Sequence, residues 1–499
     1  MKRICLLMML LLYAFSNAKG QIRFSRFYDY KHTSNLISDV IVLGDTGYFT
    51  VSECVDLKSI DTLNFVKTYL YFIRTNQFGD TIYTKAYHKP RYSIDGVNLV
   101  KTKWGFLLAG KEFDLKKYQE NSLGSYIKLW KVSEFGDTIS TRNYDIQNGN
   151  DYSVEVIKTK DSGYAIFGQT CNQIQSGKDC DFFLMKLDSN GNKVWHKTYT
   201  QNNVSFENPT SIIELPDGSF FLFGYSTISG IMKWFLVKTN NDGNLLWEKV
   251  YNEYPRQAGT DIEIVEQSKI LLAGSYNSMQ NGSGVSKGCV MMVDTTGNKI
   301  WSKAFGGIEN AGFTNISIDS IKKRILLTGS NGNLDSLKRS QGWLLAISNN
   351  GDSLYERLFN PNKIWSEHIY SINKTSNGFL MSGFGVDPND TIVNQDAWLL
   401  KVDSFGCLTP GCQLVGINNI PFSREEIKIY PNPANDKIQF NHSNKIISYR
   451  IADYTGKLIL AGNYLDSGIN VEQLPPGSYI VQVLLEGKVQ AFGKLIVTR

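Results

Sequence analysis

The sequence predicts an all-β protein: a seven-bladed β-propeller whose N-terminal strand closes the last blade, followed by a C-terminal β-sandwich. Three observations predict it. A glycine turn returns at nearly constant spacing, a second glycine-bounded apolar motif interleaves with it, and the grammar of the chain changes after Cys412. The composition agrees, with 43 glycines, 12% aromatics and an even spread of β-forming residues. At 499 residues the chain exceeds one ordinary domain.

The first motif is clearest at Leu187-Asp-Ser-Asn-Gly191-Asn-Lys-Val-Trp195-His-Lys197-Thr-Tyr199. Its glycine recurs at Gly79, Gly136, Gly191, Gly243, Gly297, Gly351 and Gly406, spaced 57, 55, 52, 54, 54 and 55 residues apart. Two residues after the Trp position stands a base: Lys85, Arg142, Lys197, Lys249, Lys303 or Arg357. Two further on stands an aromatic: Tyr87, Tyr144, Tyr199, Tyr251, Phe305 or Phe359. Such alternation after a tight Gly turn is a half-buried hairpin strand. The second motif runs from Gly163 to Gly168 and is echoed at Gly105–Gly110, Gly218–Gly224, Ile270–Gly274, Ile325–Gly329 and Gly378–Gly383, with a first copy at Gly47–Ser52. Each period therefore holds four strands joined by two tight turns, the pattern of a propeller blade.

Closure follows from the ends of the repeat. After Gly406 comes Cys407-Leu-Thr-Pro-Gly, which cannot supply an outer strand, whereas Phe24-Ser-Arg26-Phe-Tyr28 matches the aromatic-base-aromatic spacing. The N-terminal strand is expected to complete blade seven and to remove an exposed edge. The domains are then 1–20, 21–412, a linker at 413–423, and 424–499.

Residues 1–20 read as a secretory signal peptide. Lys2 and Arg3 precede an apolar run from Ile4 to Phe15, and Ser16-Asn-Ala18 supplies the small residues of a cleavage site. No other stretch is apolar enough to span a bilayer, so the mature form is expected to lack a transmembrane segment. In an exported chain, Cys171 with Cys180 and Cys407 with Cys412 read as disulfides, and Cys54 and Cys289 as lone buried thiols.

The last segment carries Tyr430-Pro431-Asn432-Pro433-Ala434, then Asp453-Tyr-Thr-Gly456-Lys457, Pro476-Gly477-Ser-Tyr479 and a basic terminus. In this order these residues closely resemble the type A C-terminal sorting domain of the type IX secretion system of the Bacteroidota. The resemblance covers Ile427 to Arg499. It implies passage through the inner membrane, recognition of this domain by the type IX machinery at the outer membrane, and release or attachment at the cell surface. Six tripeptides beginning at Asp61, Asp80, Asp137, Asp335, Asp352 and Asp390 resemble the O-glycosylation acceptor of this phylum, though three of them also simply open an outer strand.

Chemistry-bearing motifs are scarce. The Asp188–Asn192 and Asp294–Asn298 turns suggest calcium loops, but they are too short to give six oxygens, and turn chemistry accounts for them. The Asp spacing departs from that of sialidase Asp boxes. The Gly-Asn-Lys-x-Trp rhythm resembles quinone-dependent dehydrogenases without their adjacent cysteine pair. No nucleophile elbow, phosphate loop or zinc-protease motif is present. No catalytic residue, metal or cofactor is therefore assigned. A net charge of +5 without a basic stripe argues against nucleic acid as partner.

Variation concentrates in the second-to-third loops, Lys111–Gly124, Gln169–Cys180, Ser275–Lys287, Ser330–Gln341 and Phe384–Gln395, and in the blade links. Strand order puts both sets on one face. The links contribute Arg91, Tyr92, Tyr254, Arg256, Trp365 and His368 as a candidate ligand face. The expected function is a secreted or surface-attached binding module for carbohydrate or protein. The alternatives are an extracellular enzyme acting on polysaccharide and a structural surface-layer component.

Overall fold

The structure is a computed structural model describing residues 21–498 apart from 61–65, 117–123, 147–149, 175–176, 201–205, 267, 280–283, 308, 333–339, 362–365, 387–394, 413–424, 442–445, 454–457, 465–466 and 486–489. The expected signal peptide and linker, Trp365, Gly456, Lys457 and the tripeptides at Asp61, Asp335 and Asp390 fall outside the described residues. The chain divides into two compact units, Met1–Gly406 and Cys407–Arg499.

In the first unit each period of the repeat folds into one antiparallel sheet. Among the described residues there are seven four-stranded sheets: sheet 1 (34–87), sheet 2 (92–144), sheet 3 (150–199), sheet 4 (207–251), sheet 5 (257–305), sheet 6 (311–359) and sheet 7 (366–403). In sheet 7 the fourth place is taken by Phe24–Tyr28, paired antiparallel with Gln395–Asp403 so that Phe24 faces Lys401 and Tyr28 faces Ala397. The architecture is all-β and propeller-like.

Sheets pack face to face through apolar layers, each drawn from two neighbours. Phe49, Phe72, Phe106 and Trp130 join sheets 1 and 2, and Leu107, Ile127, Ile166 and Phe183 join sheets 2 and 3. Phe24, Ile37, Tyr48 and Leu399 join sheet 7 to sheet 1. The central residues of the second and third strands are buried on both faces, which explains their continuous apolar runs.

The aromatic-base-aromatic motif acts between sheets. The phenol at its end donates to the carbonyl of the turn glycine in the next sheet: Tyr28 to Gly79 at 2.6 Å, Tyr87 to Gly136 at 2.5 Å, Tyr199 to Gly243 at 2.7 Å and Tyr251 to Gly297 at 2.8 Å, with Tyr144 likewise bonded to Gly191. The base reaches the side chain just after that glycine, as in Lys249 to Asn298 at 2.9 Å and Lys303 to Asp352 at 2.8 Å. Glycine is required at the turn for two reasons. At Gly243 the backbone holds φ +75°, and a Cβ would lie 2.5 Å from the Trp195 ring of the preceding sheet. Replacing Tyr199 with Phe removes one such bond and leaves a buried carbonyl without its donor, so chemical denaturation should show a loss of about 1 kcal/mol.

The second motif has a different cause. The first strand of every sheet contains a register shift: between Ile37 and Asp39, Asp95 and Asn98, Ser153 and Glu155, Pro209 and Ser211, Gly259 and Asp261, Phe313 and Asn315, and Ile369 and Ser371. This β-bulge pushes a carbonyl toward the second strand. At Gly168 a Cβ would sit 2.1 Å from the Tyr152 carbonyl oxygen, so only glycine fits there, whereas in sheet 1 Ser52 stands opposite the bulge.

The second unit contains a five-stranded sheet, in the order Glu425–Glu426, Gln490–Val497, Gly477–Leu485, Ile446–Asp453 and Leu458–Asn463. A three-stranded sheet of Lys428–Tyr430, Lys437–Asn441 and Ile469–Asn470 accompanies it. Ile438, Ile451, Val481 and Leu495 are among the residues of their shared core. Asn432 donates from Nδ2 to the Lys494 carbonyl at 2.6 Å and accepts the Ile496 N–H at 2.8 Å, and Ala434 extends the pairing to Ile496 and Thr498. The Tyr430–Pro433 motif thus clasps the terminal strand. Tyr479 closes its own turn by donating to Pro475 at 2.6 Å.

Candidate functional site

Both cysteine pairs are bonded, Cys171–Cys180 and Cys407–Cys412, whereas Cys54 and Cys289 are free and buried. Burial pushes both thiols up, Cys54 to about 12, so both stay protonated. Cys171 and Cys180 are cross-strand partners in sheet 3. Their bond stiffens one wall of a groove of about 540 Å³ between sheets 2 and 3. Leu115 and Gly124, which flank the second-to-third loop of sheet 2, also line it.

Three half-buried rings, Phe113, Tyr152 and Phe206, line this groove with Asp95, Lys111 and Asn150. Lys111 stands opposite Asp95 across the ladder. Its Nζ lies 4.9 Å from the centre of the Phe113 ring and 5.1 Å from that of Tyr152, a cation held over two aromatic faces. Tyr152 donates to Gln169, which donates to the Glu207 carbonyl. Behind Asp95, hydrogen-bonded to it, is Glu53. Burial, then the charge of Asp95, pushes Glu53 up to about 8, while the Val97 N–H at 3.0 Å and the Ser38 hydroxyl at 3.1 Å pull it back. At neutral pH Glu53 is mainly protonated.

The expected ligand-face residues fall on three sheets. Arg91 lies just before sheet 2 with φ +72° and holds Asp114 of the groove wall, Nε to Oδ1 at 2.7 Å. Tyr92 lies beneath Lys89, whose Nζ is 3.5 Å from the ring centre. Tyr254 precedes sheet 5 and stacks on Tyr276 at 4.4 Å; Arg256, with φ +42°, donates to the Gly230 carbonyl at 3.1 Å. His368 stacks on Phe384 at 4.9 Å and bonds Ser340 at 2.7 Å, and burial lowers its pKa so that it is neutral. Of the described five, Arg91 and Tyr92 adjoin the groove.

A second polar feature runs through the middle of the unit. First strands of sheets 1, 3, 4, 5, 6 and 7 line a cavity of about 520 Å³. Immediately after the bulges stand Asp39, Asn98, Glu155, Ser211, Asp261, Asn315 and Ser371. Several of them accept a backbone N–H from the next sheet: Asp39 from Leu99 at 2.9 Å, Glu155 from Ile212 at 2.8 Å, Asp261 from Ile316 at 2.7 Å and Asn315 from Ile372 at 3.0 Å. Asp261 also accepts from Ser211 and Asn315, each at 2.8 Å. Burial raises Asp39 and Asp261 to about 6 and Glu155 and Glu263 to about 8. Asp39, Glu155 and Asp261 are spent joining neighbouring sheets, whereas Glu263 accepts only the N–H of Ile264 in its own strand, at 3.3 Å. The girdle left a sequence signal that motif reading missed: a polar residue followed by Val, Leu or Ile once per period.

On the opposite face, a cavity of about 620 Å³ between sheets 3 and 4 is lined by Lys186, which Asp161 binds at 2.7 and 2.9 Å. In the Asp188 turn, Oδ1 accepts the amides of Asn190 and Asn192 at 2.8 Å each. Among the described residues no group of three or more His, Cys, Asp and Glu is placed to hold a metal.

Residues 428–498 match a family described as a secretion system C-terminal sorting domain. The type IX secretion machinery therefore handles this tail, and the protein is exported to the cell surface or the extracellular space. No helix among the described residues is long and apolar enough to cross a membrane. No curated protein matches the chain. Among solved structures, an N-acetylgalactosamine deacetylase from F. plautii in complex with blood group B trisaccharide aligns at 9% identity over 57% of this chain and 94% of its own, with a TM-score of 0.32. A putative exo-beta-1,3-galactanase from Bifidobacterium bifidum s17 aligns at 10% identity over 58% and 93%, with a TM-score of 0.30. The subtype N10 neuraminidase-like protein of A/little yellow-shouldered bat/Guatemala/060/2010 aligns at 11% over 68% and 96%, with a TM-score of 0.33. Likenesses this distant say nothing of what this chain binds.

Proposed function

We propose that the protein is an exported binding module of the type IX pathway of the Bacteroidota. In this reading residues 1–20 are a signal peptide, 21–412 a closed seven-bladed propeller, 413–423 a linker and 424–499 the sorting domain. Closure is supported by Phe24–Tyr28, which pairs in sheet 7 while Tyr28 donates to Gly79 of sheet 1. The observation that carries the binding role is the groove between sheets 2 and 3, where aromatic faces and a few oriented polar groups meet beside the second-to-third loop of sheet 2. Asp39, Glu155 and Asp261 of the central cavity support binding over catalysis because backbone amides of the next sheet occupy them.

A hydrolase reading draws on one observation, the hydrogen-bonded carboxyl pair of Glu53 and Asp95 at the groove edge. The test is a screen of the chain from Gln21 against oligosaccharides, polysaccharides and peptides, with product analysis of every hit. Retention without new products supports the binding module. Released fragments would install the hydrolase instead, and silence on every ligand would leave a structural role.

A further inference from the structure

We infer that the groove between sheets 2 and 3 takes a neutral, ring-shaped saccharide, stacked on Phe113 and Tyr152 and hydrogen-bonded through its hydroxyls to Asp95, Asn150 and Lys111. The inference rests on the reading of the protein as a binding module and names its ligand class.

Charge comes first. Asp95 faces Lys111 across the ladder, and Asp114 is held by Arg91 at 2.7 Å, so each charge at the groove has its opposite beside it. No surplus of one sign remains to attract a phosphate, a sulfate or a cation. Shape comes second. Phe113, Tyr152 and Phe206 present half-buried rings, and the Lys111 ammonium lies 4.9 and 5.1 Å from the centres of the first two, so a group that stacks on them must also offer that ammonium a hydrogen-bond acceptor. A leucine-like peptide side chain would desolvate Asp95 and Lys111 and return no hydrogen bond. A pyranose meets both demands: its C–H face is apolar, and its hydroxyl edge donates to a carboxylate while accepting from an ammonium.

Preorganisation comes third. Gln169 has its carbonyl bonded to Tyr152 and its amide to the Glu207 carbonyl, which fixes the Tyr152 ring. Glu53 anchors Asp95, and the Cys171–Cys180 bond ties the strands behind. A site fixed before binding loses little rotamer entropy when a ligand arrives.

The experiment is calorimetric titration of the chain from Gln21 with the neutral oligosaccharide that scores highest in a glycan screen. Asp95→Asn and Phe113→Ala should each weaken binding about tenfold or more, whereas Lys193→Ala, exposed on the outer strand of sheet 3, should leave it within about twofold. Lys111→Gln, on the exposed side of the ladder, serves as a third variant wherever Phe113→Ala lowers the melting temperature. Binding that survives all three groove variants would overturn the site and leave the binding module standing. Binding restricted to charged glycans or to peptides would overturn the ligand class. No binding to any glycan or peptide would overturn both readings.

Discussion

Removing residues 21–28 is expected to abolish cooperative folding of the first unit. The strand contributes Phe24, which is 8% exposed and packs against Tyr48, and Phe27, which stacks on Trp398 at 5.6 Å. Ser25 accepts the Trp398 indole N–H at 2.9 Å, and Arg23 holds the buried Asp403 carboxylate at 2.7 Å. Phe→Ala in a core alone costs about 3–5 kcal/mol, and stripping a partner from a buried charge costs about as much again. Their sum is comparable with the whole stability of a typical domain, about 5–15 kcal/mol. The deletion also uncovers the Gln395–Asp403 edge, so self-association should accompany unfolding. Denaturant titration and size-exclusion chromatography of the truncated chain, beside the milder Phe24→Ala, provide the measurement. An unchanged midpoint and a monomeric profile would show that the strand is an appendage.

The second large effect is on pH. Burial raises Asp39, Asp151 and Asp261 to about 6, and Glu53, Glu155 and Glu263 to about 8. Unfolded carboxyls titrate near 4. The folded chain therefore binds more protons than the unfolded one between about pH 4 and 8. The stabilisation from these six groups is complete below about pH 4 and is lost as pH rises through 6 and then 8. Asp161 works in the opposite sense: burial pushes it up, but Lys186 and Thr159 bring it down to about 2, so its contribution is lost as pH falls below about 4. Melting temperature measured from pH 3 to 9 should peak near about pH 4 and fall as pH rises, and Glu155→Gln should flatten that fall. A melting temperature that climbs steadily from pH 5 to 8 would refute the assignment. Asp261→Ala should cost most below about pH 4, about 3 kcal/mol, because it strips the acceptor from Ile316, Ser211 and Asn315 together, and the cost should shrink as pH rises through 6.

Much of the fold was legible because its turns demand unusual residues. A glycine at positive φ with an indole against it, as at Gly243, cannot be replaced cheaply, so it repeats. The disulfides were legible because each pair is close in sequence. The bulges were harder to see, since a bulge is a relation between two strands and only its glycine partner, such as Gly168, shows in one of them. The groove was least legible. Asp95, Lys111 and Phe113 come from sheet 2 and Tyr152 from sheet 3, and no spacing along the chain announces that they meet. Arg91 and Tyr92 stand out in the sequence because they sit in a blade link, but the linear order alone could not tell that Arg91 braces Asp114 whereas Tyr254 stacks on Tyr276.

The reach of each outer strand onto the following turn also bears on how such a chain can lengthen. Tyr199 and Trp195 belong to one sheet, but their partners, the Gly243 carbonyl and the space above it, belong to the next. A duplicated stretch of one period carries a complete socket at its front and a complete plug at its back, so a copy inserted anywhere joins both neighbours with contacts already in place. A fragment cut at any other phase leaves one phenol unbonded and one turn uncovered. The contacts that hold neighbouring sheets together therefore also fix the length by which the chain can grow.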